Sequence, residues 1–179
     1  MNRLTDGVVT LRPFREDDVP TIVVACSDPE TARFVPVIPV PYTQADAEAY
    51  LRLADELRNA GERLPFAVAA AGSDELVGAI DARLGEVGSI GYWVHPASRG
   101  GGVATRALVL LSRWAVTEGG VERLELTTHP DNVASQRVAE KAGFVREGVL
   151  RGHMRVRDGR RDSVLFSLLP SDVDGPPPG

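Results

Sequence analysis

The chain has 179 residues, 43% of them apolar and 25% charged, and a net charge of −5. That mixture suits one globular domain large enough to bury a core without disulfides or metal. The acidic balance argues against non-specific nucleic-acid binding, which needs clustered Lys and Arg. The single cysteine, Cys26, rules out an internal disulfide and fits a cytoplasmic setting. No window is apolar and long enough to span a membrane, and MNRLTDGVVTLRPF lacks the apolar core of a secretory signal.

In chain order, Val8 to Phe14 alternates and is β-branched, which predicts a first strand. Asp17 to Ser27 reads as a short helix; Cys26 falls in it and reads as a buried thiol rather than a nucleophile. Phe34 to Tyr42 carries Pro36, Pro39 and Pro41 and predicts an extended loop. Thr43, with an acid three residues on at Asp46, opens a helix whose apolar positions are Ala47, Tyr50, Leu51, Ala54 and Leu57 and which Gly61 closes. Phe66 to Ala71 and Leu76 to Leu84 are strand-like runs joined by Gly-Ser-Asp, a hairpin pattern. Ser89 to Val94 is an apolar run stopped by Pro96.

Gly102 to Thr117 is the clearest helix, with a buried stripe of Ala104, Ala107, Leu108, Leu111 and Ala115 ended by Gly119-Gly120. Glu122 to Thr128 alternates as a strand, and Asn132 to Ala142 is a second short helix ended by Gly143. Phe144 to Val156 and Asp162 to Leu169 are strands around the turn signal Arg157-Asp158-Gly159-Arg160. Arginines gather between Arg151 and Arg161, which leaves room for a small anion or an acidic partner. The order predicts an α/β chain (α+β mixed sheet) with helices on its faces. Residues 1–170 form the domain, and 171–179 a disordered Pro/Gly tail.

Three consecutive glycines, Gly100-Gly101-Gly102, run straight into a helix. Glycine disfavours helix starts of this kind unless the backbone itself is needed. Helix N-termini carry unpaired N–H groups and a positive dipole, so the loop is either an anion seat or a turn that permits close packing. Gly102-Val103-Ala104 lacks the Lys-Ser/Thr of a nucleotide P-loop. A dinucleotide fingerprint fails because Thr105 stands at its third glycine, and Glu122 and Glu125 are misplaced for its acid.

The surroundings add a resemblance. Ser89-Ile-Gly-Tyr-Trp-Val94 followed by Arg99-Gly-Gly-Gly-Val-Ala104 resembles the [RQ]-x-x-G-x-[GA] signature of the GNAT superfamily of N-acetyltransferases, matched at Arg99, Gly102 and Ala104. Asn132-Val-Ala-Ser135 through Lys141-Ala-Gly143-Phe144 is similar to its N-x-x-[SA]…K-x-G-F stretch. Leu11-Arg-Pro-Phe14 with Asp17-Asp18, Pro41-Tyr42-Thr43 with Asp46-Ala47, Arg146-Glu-Gly-Val-Leu-Arg151, Asp158-Gly159 and Asp162 to Ser167 resemble its RimJ/RimL branch. The resemblance covers roughly residues 8 to 169. It implies an acyl-CoA N-acyltransferase fold of about seven strands and about four helices. It also implies acetyl transfer from acetyl-CoA (coenzyme A) to a primary amine, a protein N-terminus or a small molecule, by direct attack in a ternary complex.

In that reading the CoA pyrophosphate sits on the N–H groups of Gly100, Gly101, Gly102, Val103 and Ala104, and Arg99 reaches a phosphate or is a plain surface charge. The pantetheine arm pairs like a strand with Tyr92, Trp93 and Val94, and the Val94 N–H is the candidate oxyanion donor. Asn132 caps its helix or bonds the arm, and Ser135 faces the sulfur or merely bonds nearby backbone. Two positions depart from the superfamily: Ala139 stands where a tyrosine acid often is, and Ser89 where a glutamate base often is. The base therefore has no assigned residue. His95 and His129 each precede a proline at a strand end and read as terminators before they read as bases. Tyr42, Tyr92 and Trp93 either line an acceptor pocket or fill core. No His or Cys pair has metal-ligand spacing, and no G-x-S-x-G elbow is present. A homodimer is expected by analogy alone, with no membrane or nucleic-acid partner. The competing reading is an acyl-CoA sensor or inactive binding module that keeps the cleft, and a third is a dinucleotide-dependent enzyme.

Overall fold

The longest helix forms where the sequence supplies both ends. Thr43 Oγ1 accepts from the Asp46 N–H, and Asp46 Oδ2 accepts from the Thr43 N–H at 2.8 Å, the reciprocal cap of a Thr-x-x-acid start. Gly61 closes the same helix in the left-handed region at φ 75°. The computed structural model describes residues 3–156 and 158–173. Its strands are β1 (Leu4–Thr5), β2 (Val9–Arg12), β3 (Arg63–Ala70), β4 (Leu76–Arg83), β5 (Val87–Val94), β6 (Arg123–Thr128), β7 (Val145–Val156) and β8 (Gly159–Leu168). Its helices are α1 (Val19–Ser27), α2 (Pro29–Phe34), α3 (Gln44–Ala60), α4 (Val103–Thr117), α5 (Val133–Lys141) and α6 (Pro170–Val173).

Among the described residues, eight strands make one mixed sheet in the order β1-β2-β3-β4-β5-β6-β8-β7. The mixed α/β sheet is as the sequence predicts, with more elements. The two-residue β1 is one addition. The first helical run is split at Asp28, whose carboxylate accepts from the Thr31 N–H while Pro29 opens α2, so a capped second helix follows α1. The predicted tail boundary falls inside α6, residues 174–179 lie outside the described residues, and so does Arg157 of the predicted hairpin turn. β8 begins at Gly159, three residues earlier than expected.

Helices cover both faces. On one face α4 and α5 bury Leu108, Leu111 and Ala139 against Phe66, Ile80, Leu124 and Phe166. On the other, Ile22, Cys26 and Ala47 pack with Ala67 and Leu76. The Leu11-Arg-Pro-Phe14…Asp18 motif is an anchor. Arg12 forms a two-pronged bond to Asp18 at 2.8 Å in the protein interior.

The site begins where the sheet comes apart. β5 and β6 run parallel yet share only the pairs Val87–Arg123, Gly88–Leu124 and Ser89–Glu125. Beyond Ser89, β5 stays with β4 to Val94 while β6 stays with β8 to Thr128. Gly88 sits tightly packed in the paired stretch: a Cβ there would stand 2.8 Å from the Arg83 carbonyl oxygen, 3.0 Å from Val121 Cγ1 and 3.2 Å from Leu124 Cδ1. The divergence opens a wedge through the sheet.

Candidate active site

The wedge is a cleft of about 880 Å³. One wall is β5 from Ser89 to Val94, the other is β6 from Glu125 to Thr128 with α5, and the N-terminus of α4 closes one end. The register decides what β5 shows it. In an antiparallel pair, opposed residues alternately bond to each other and turn away. The His95 N–H bonds to the Val77 carbonyl, so with the β4–β5 register the bonding residues are His95, Trp93, Gly91 and Ser89. The main-chain N–H and C=O groups of Tyr92 and Val94 therefore point away from β4 and into the cleft. The Trp93 side chain packs with the core on the α1/α3 face.

The glycine loop is built around two left-handed residues, Gly100 at φ 78° and Gly102 at φ 77°. Gly102 caps α4 with no side chain of its own. The first helical bond runs from the Arg106 N–H to the Gly102 carbonyl at 3.0 Å. Among the described residues, no acceptor is bonded to the N–H groups of Gly100 to Ala104. A Cβ at Gly100 or Gly102 would meet nothing within 4 Å. Internal packing is thus not what these two glycines serve. They shape the backbone and leave its donors uncovered at the positive end of a fifteen-residue helix. Gly100, Gly102, Val103 and Ala104 line the cleft, so Ala104 leaves the buried stripe predicted for it, whereas Gly101 forms the turn behind them.

Arg99 lines the cleft beside the glycine loop and also reaches α2. Its guanidinium bonds Asp28 at 2.5 Å, Glu30 at 2.7 Å and Thr31 Oγ1 at 2.8 Å. Two carboxylates and a hydroxyl take three of its five N–H donors, its Nε–H stays without a partner among the described residues, and Arg99 holds the Asp28 carboxyl below its usual range. Arg99 ties α2 to the glycine loop. Arg33 bonds Asp131 at 3.2 Å and Phe34 meets the His129 ring at 6.0 Å, so α2 also reaches the β6–α5 loop.

Asn132 is the N-cap of α5. Its Oδ1 accepts from the Ser135 N–H at 3.0 Å, which caps α5, and among the described residues its Nδ2 bonds no partner. Ser135 is not spent on local backbone: its Oγ lies 2.9 Å from the Tyr92 hydroxyl on the facing wall. Burial pushes the Tyr92 phenol up to about 12, with the Ser135 bond pulling the other way. Ala139 is fully buried in the core, so α5 offers no aromatic acid, and Ser89 is exposed on the cleft floor.

The remaining expectations sort plainly. His95 accepts from the Ala97 N–H and His129 from the Asp131 N–H, each ending its strand. Tyr42 is away from the cleft; it packs beside Cys26, whose thiol burial lifts to about 11. Among the described residues no group of three or more metal-type ligands occurs, and no helix is long and apolar enough to cross a membrane. The sequence reading missed three cleft features: the contact of the Tyr92 hydroxyl with Ser135, the Arg63–Asp81 ion pair and His153, whose Nδ1 lies 3.2 Å from Ser163 Oγ. Burial raises the Asp81 carboxyl against the pull of Arg63. The Asp28-Pro29-Glu30 start was a legible cap signal for α2.

Comparison with known proteins agrees with this geometry. Residues 9–145 match the sequence model of the acetyltransferase (GNAT) domain. The chain is 26% identical over 181 residues to the uncharacterised N-acetyltransferase p20 of Bacillus licheniformis, covering 98% of this chain and 100% of that one. It is 31% identical over 100 residues to the ribosomal-protein-serine acetyltransferase of Escherichia coli, 54% of this chain and 56% of that one. Mycobacterium smegmatis RimJ in complex with CoA-disulfide superposes with a TM-score of 0.84 at 26% identity, covering 97% of this chain and 87% of that one.

Proposed function

Since the chain belongs to the GNAT acetyltransferase family, we propose that it moves an acetyl group from acetyl-CoA to a primary amine, a peptide N-terminus or a small molecule, by direct attack with both substrates bound. One observation carries the reading: the loop residues Gly100, Gly102, Val103 and Ala104, whose N–H groups are uncovered, the free edge of β5 and the Ser135 hydroxyl all line one cleft. The donor set fits CoA. A diphosphate needs several convergent backbone donors at a helix N-terminus, and room where side chains would stand; Gly100 and Gly102 supply both.

The residues then divide the work. N–H groups from Gly100 to Ala104 hold the diphosphate. Tyr92 offers its main-chain N–H and C=O to the amide-bearing arm as an added strand would, and Asn132 Nδ2 donates to an arm carbonyl. Val94 N–H donates to the thioester oxygen as negative charge builds there. Ser135 donates to the sulfur as it departs, since a free thiol ionises near 8.5 and gains from a positioned donor. Arg99 acts as the tether of α2 and takes no phosphate. The amine arrives unprotonated, its proton passed to water.

The test is thiol release from acetyl-CoA against N-terminal peptides, polyamines and aminoglycosides. Turnover that requires both substrates is expected. The buried Ala139 and the plain Ser89 favour one other reading, an acyl-CoA-binding module. Acetyl-CoA binding by calorimetry with no thiol release across the panel would establish that instead. Protection by a nicotinamide dinucleotide and not by CoA would overturn both.

A further inference from the structure

Resting on the acetyl-transfer reading, we propose that Tyr92 is a positioning residue: its phenol donates to Ser135 Oγ across the cleft and so aims the serine proton at the departing sulfur. The two hydroxyls belong to opposite walls, β5 and α5, and stand 2.9 Å apart. Asn132 already fixes the Ser135 main chain through its N–H. The side-chain torsion is fixed by Tyr92, the partner of Oγ among the described residues.

The direction of the bond follows from acidity. A hydroxyl has one proton and two lone pairs. A phenol is a far stronger acid than an alkyl alcohol and is the better donor of the two. When Tyr92 donates, the serine proton is left over, and the cleft is where it can be used. Burial keeps the phenol protonated through neutral pH, so the donor is always present. α5 presents no phenol of its own, Ala139 being buried, and the phenol that reaches Ser135 comes from the facing strand.

The step balances without either residue ionising. The C–N bond forms and the C–S bond breaks with its electron pair on sulfur. The proton shed by the acylated nitrogen ends on the thiolate, while Ser135 and Tyr92 keep theirs.

The experiment is a double-mutant cycle on the full chain, read as kcat and KM for acetyl-CoA in the thiol-release assay. Tyr92→Phe keeps the ring, and its melting temperature and acetyl-CoA binding are checked alongside. It should lower kcat roughly tenfold, the effect of one neutral hydrogen bond, with KM for acetyl-CoA within about twofold of wild type. In a Ser135→Ala background the same change should have no further effect. A wild-type kcat for Tyr92→Phe overturns the proposal. So does a loss that persists undiminished without Ser135, which marks packing alone. If Tyr92→Phe does not fold, Ser135→Thr must keep turnover that Ser135→Ala loses; equal loss overturns the assignment. A wild-type chain that binds acetyl-CoA and releases no thiol overturns the acetyl-transfer reading instead.

Discussion

Gly102 is where fold and site make the same demand, and Gly102→Ala separates them. The residue sits at φ 77°, ψ 2°, and a Cβ there meets nothing within 4 Å. The folding cost is therefore the left-handed penalty alone, about 1–2 kcal/mol. For a chain of this size each kcal/mol moves Tm by about 2–4 °C, so the free protein should melt roughly 2–8 °C lower. The larger effect is on ligand stabilisation. Acetyl-CoA at a hundredfold excess over Kd stabilises the wild type by about 2.7 kcal/mol. If the new methyl blocks the diphosphate and weakens binding about a hundredfold, the same concentration leaves only about 0.4 kcal/mol. Thermal denaturation with and without acetyl-CoA reads both numbers. Gly61→Ala is the control. Gly61 has φ 75°, equally open surroundings and no place in the cleft, so it should lose the same folding stability and keep the full acetyl-CoA shift. An equal shift in the two variants would refute the seat at the glycine loop.

Three further changes test the frame. Thr43→Ala removes the reciprocal cap of α3 and should cost about 1 kcal/mol by chemical denaturation, with kcat unaltered. Arg99→Ala cuts the tether between the glycine loop and α2. Its partly exposed ion pairs contribute at most about 1 kcal/mol, so hydrogen exchange is the sharper probe: amides of residues 29–34 should exchange faster while acetyl-CoA affinity holds. An affinity loss beyond about tenfold would return Arg99 to the phosphate. Burial lifts the Cys26 thiol from its ordinary 9.0 to about 11. The stability this contributes is complete below pH 9.0 and is lost as pH climbs toward 11. At pH 9 iodoacetamide should label the native chain far more slowly than the urea-unfolded one, because Cys26 is both buried and less ionised.

What could be read from the sequence is what local chemistry dictates. The α3 cap, the α4 stripe and the left-handed glycines follow from the residues that occupy them, and those signals reach only a few positions along the chain. Arg99 shows the limit. The sequence offers it a phosphate or a plain surface position beside the loop, whereas its partners Asp28 and Glu30 lie some seventy positions earlier and meet it only in the fold. The Tyr92–Ser135 contact is of the same kind: each residue was marked alone, and only the splay of β5 from β6 brings their hydroxyls together. Asn132 was read as a contest because the sequence shows one side chain, whereas the structure shows an amide with an acceptor engaged and a donor to spare.

The cleft itself is a consequence of topology. A parallel β5–β6 pair needs a crossover, and α4 supplies it. Each strand is held by an antiparallel partner on its outer side, β4 for one and β8 for the other. Those partners pull the pair apart as the sheet twists. Past Ser89 the inner edge of β5 is left with main-chain donors and acceptors that no strand takes up. Unpaired backbone groups in a half-buried wedge are costly unless water or a ligand satisfies them. The crossover that creates the parallel pair also delivers a helix N-terminus to the end of the wedge, adding the uncovered N–H groups of Gly100, Gly102, Val103 and Ala104. A ligand that is anionic at one end and amide-bearing along its length satisfies both sets at once.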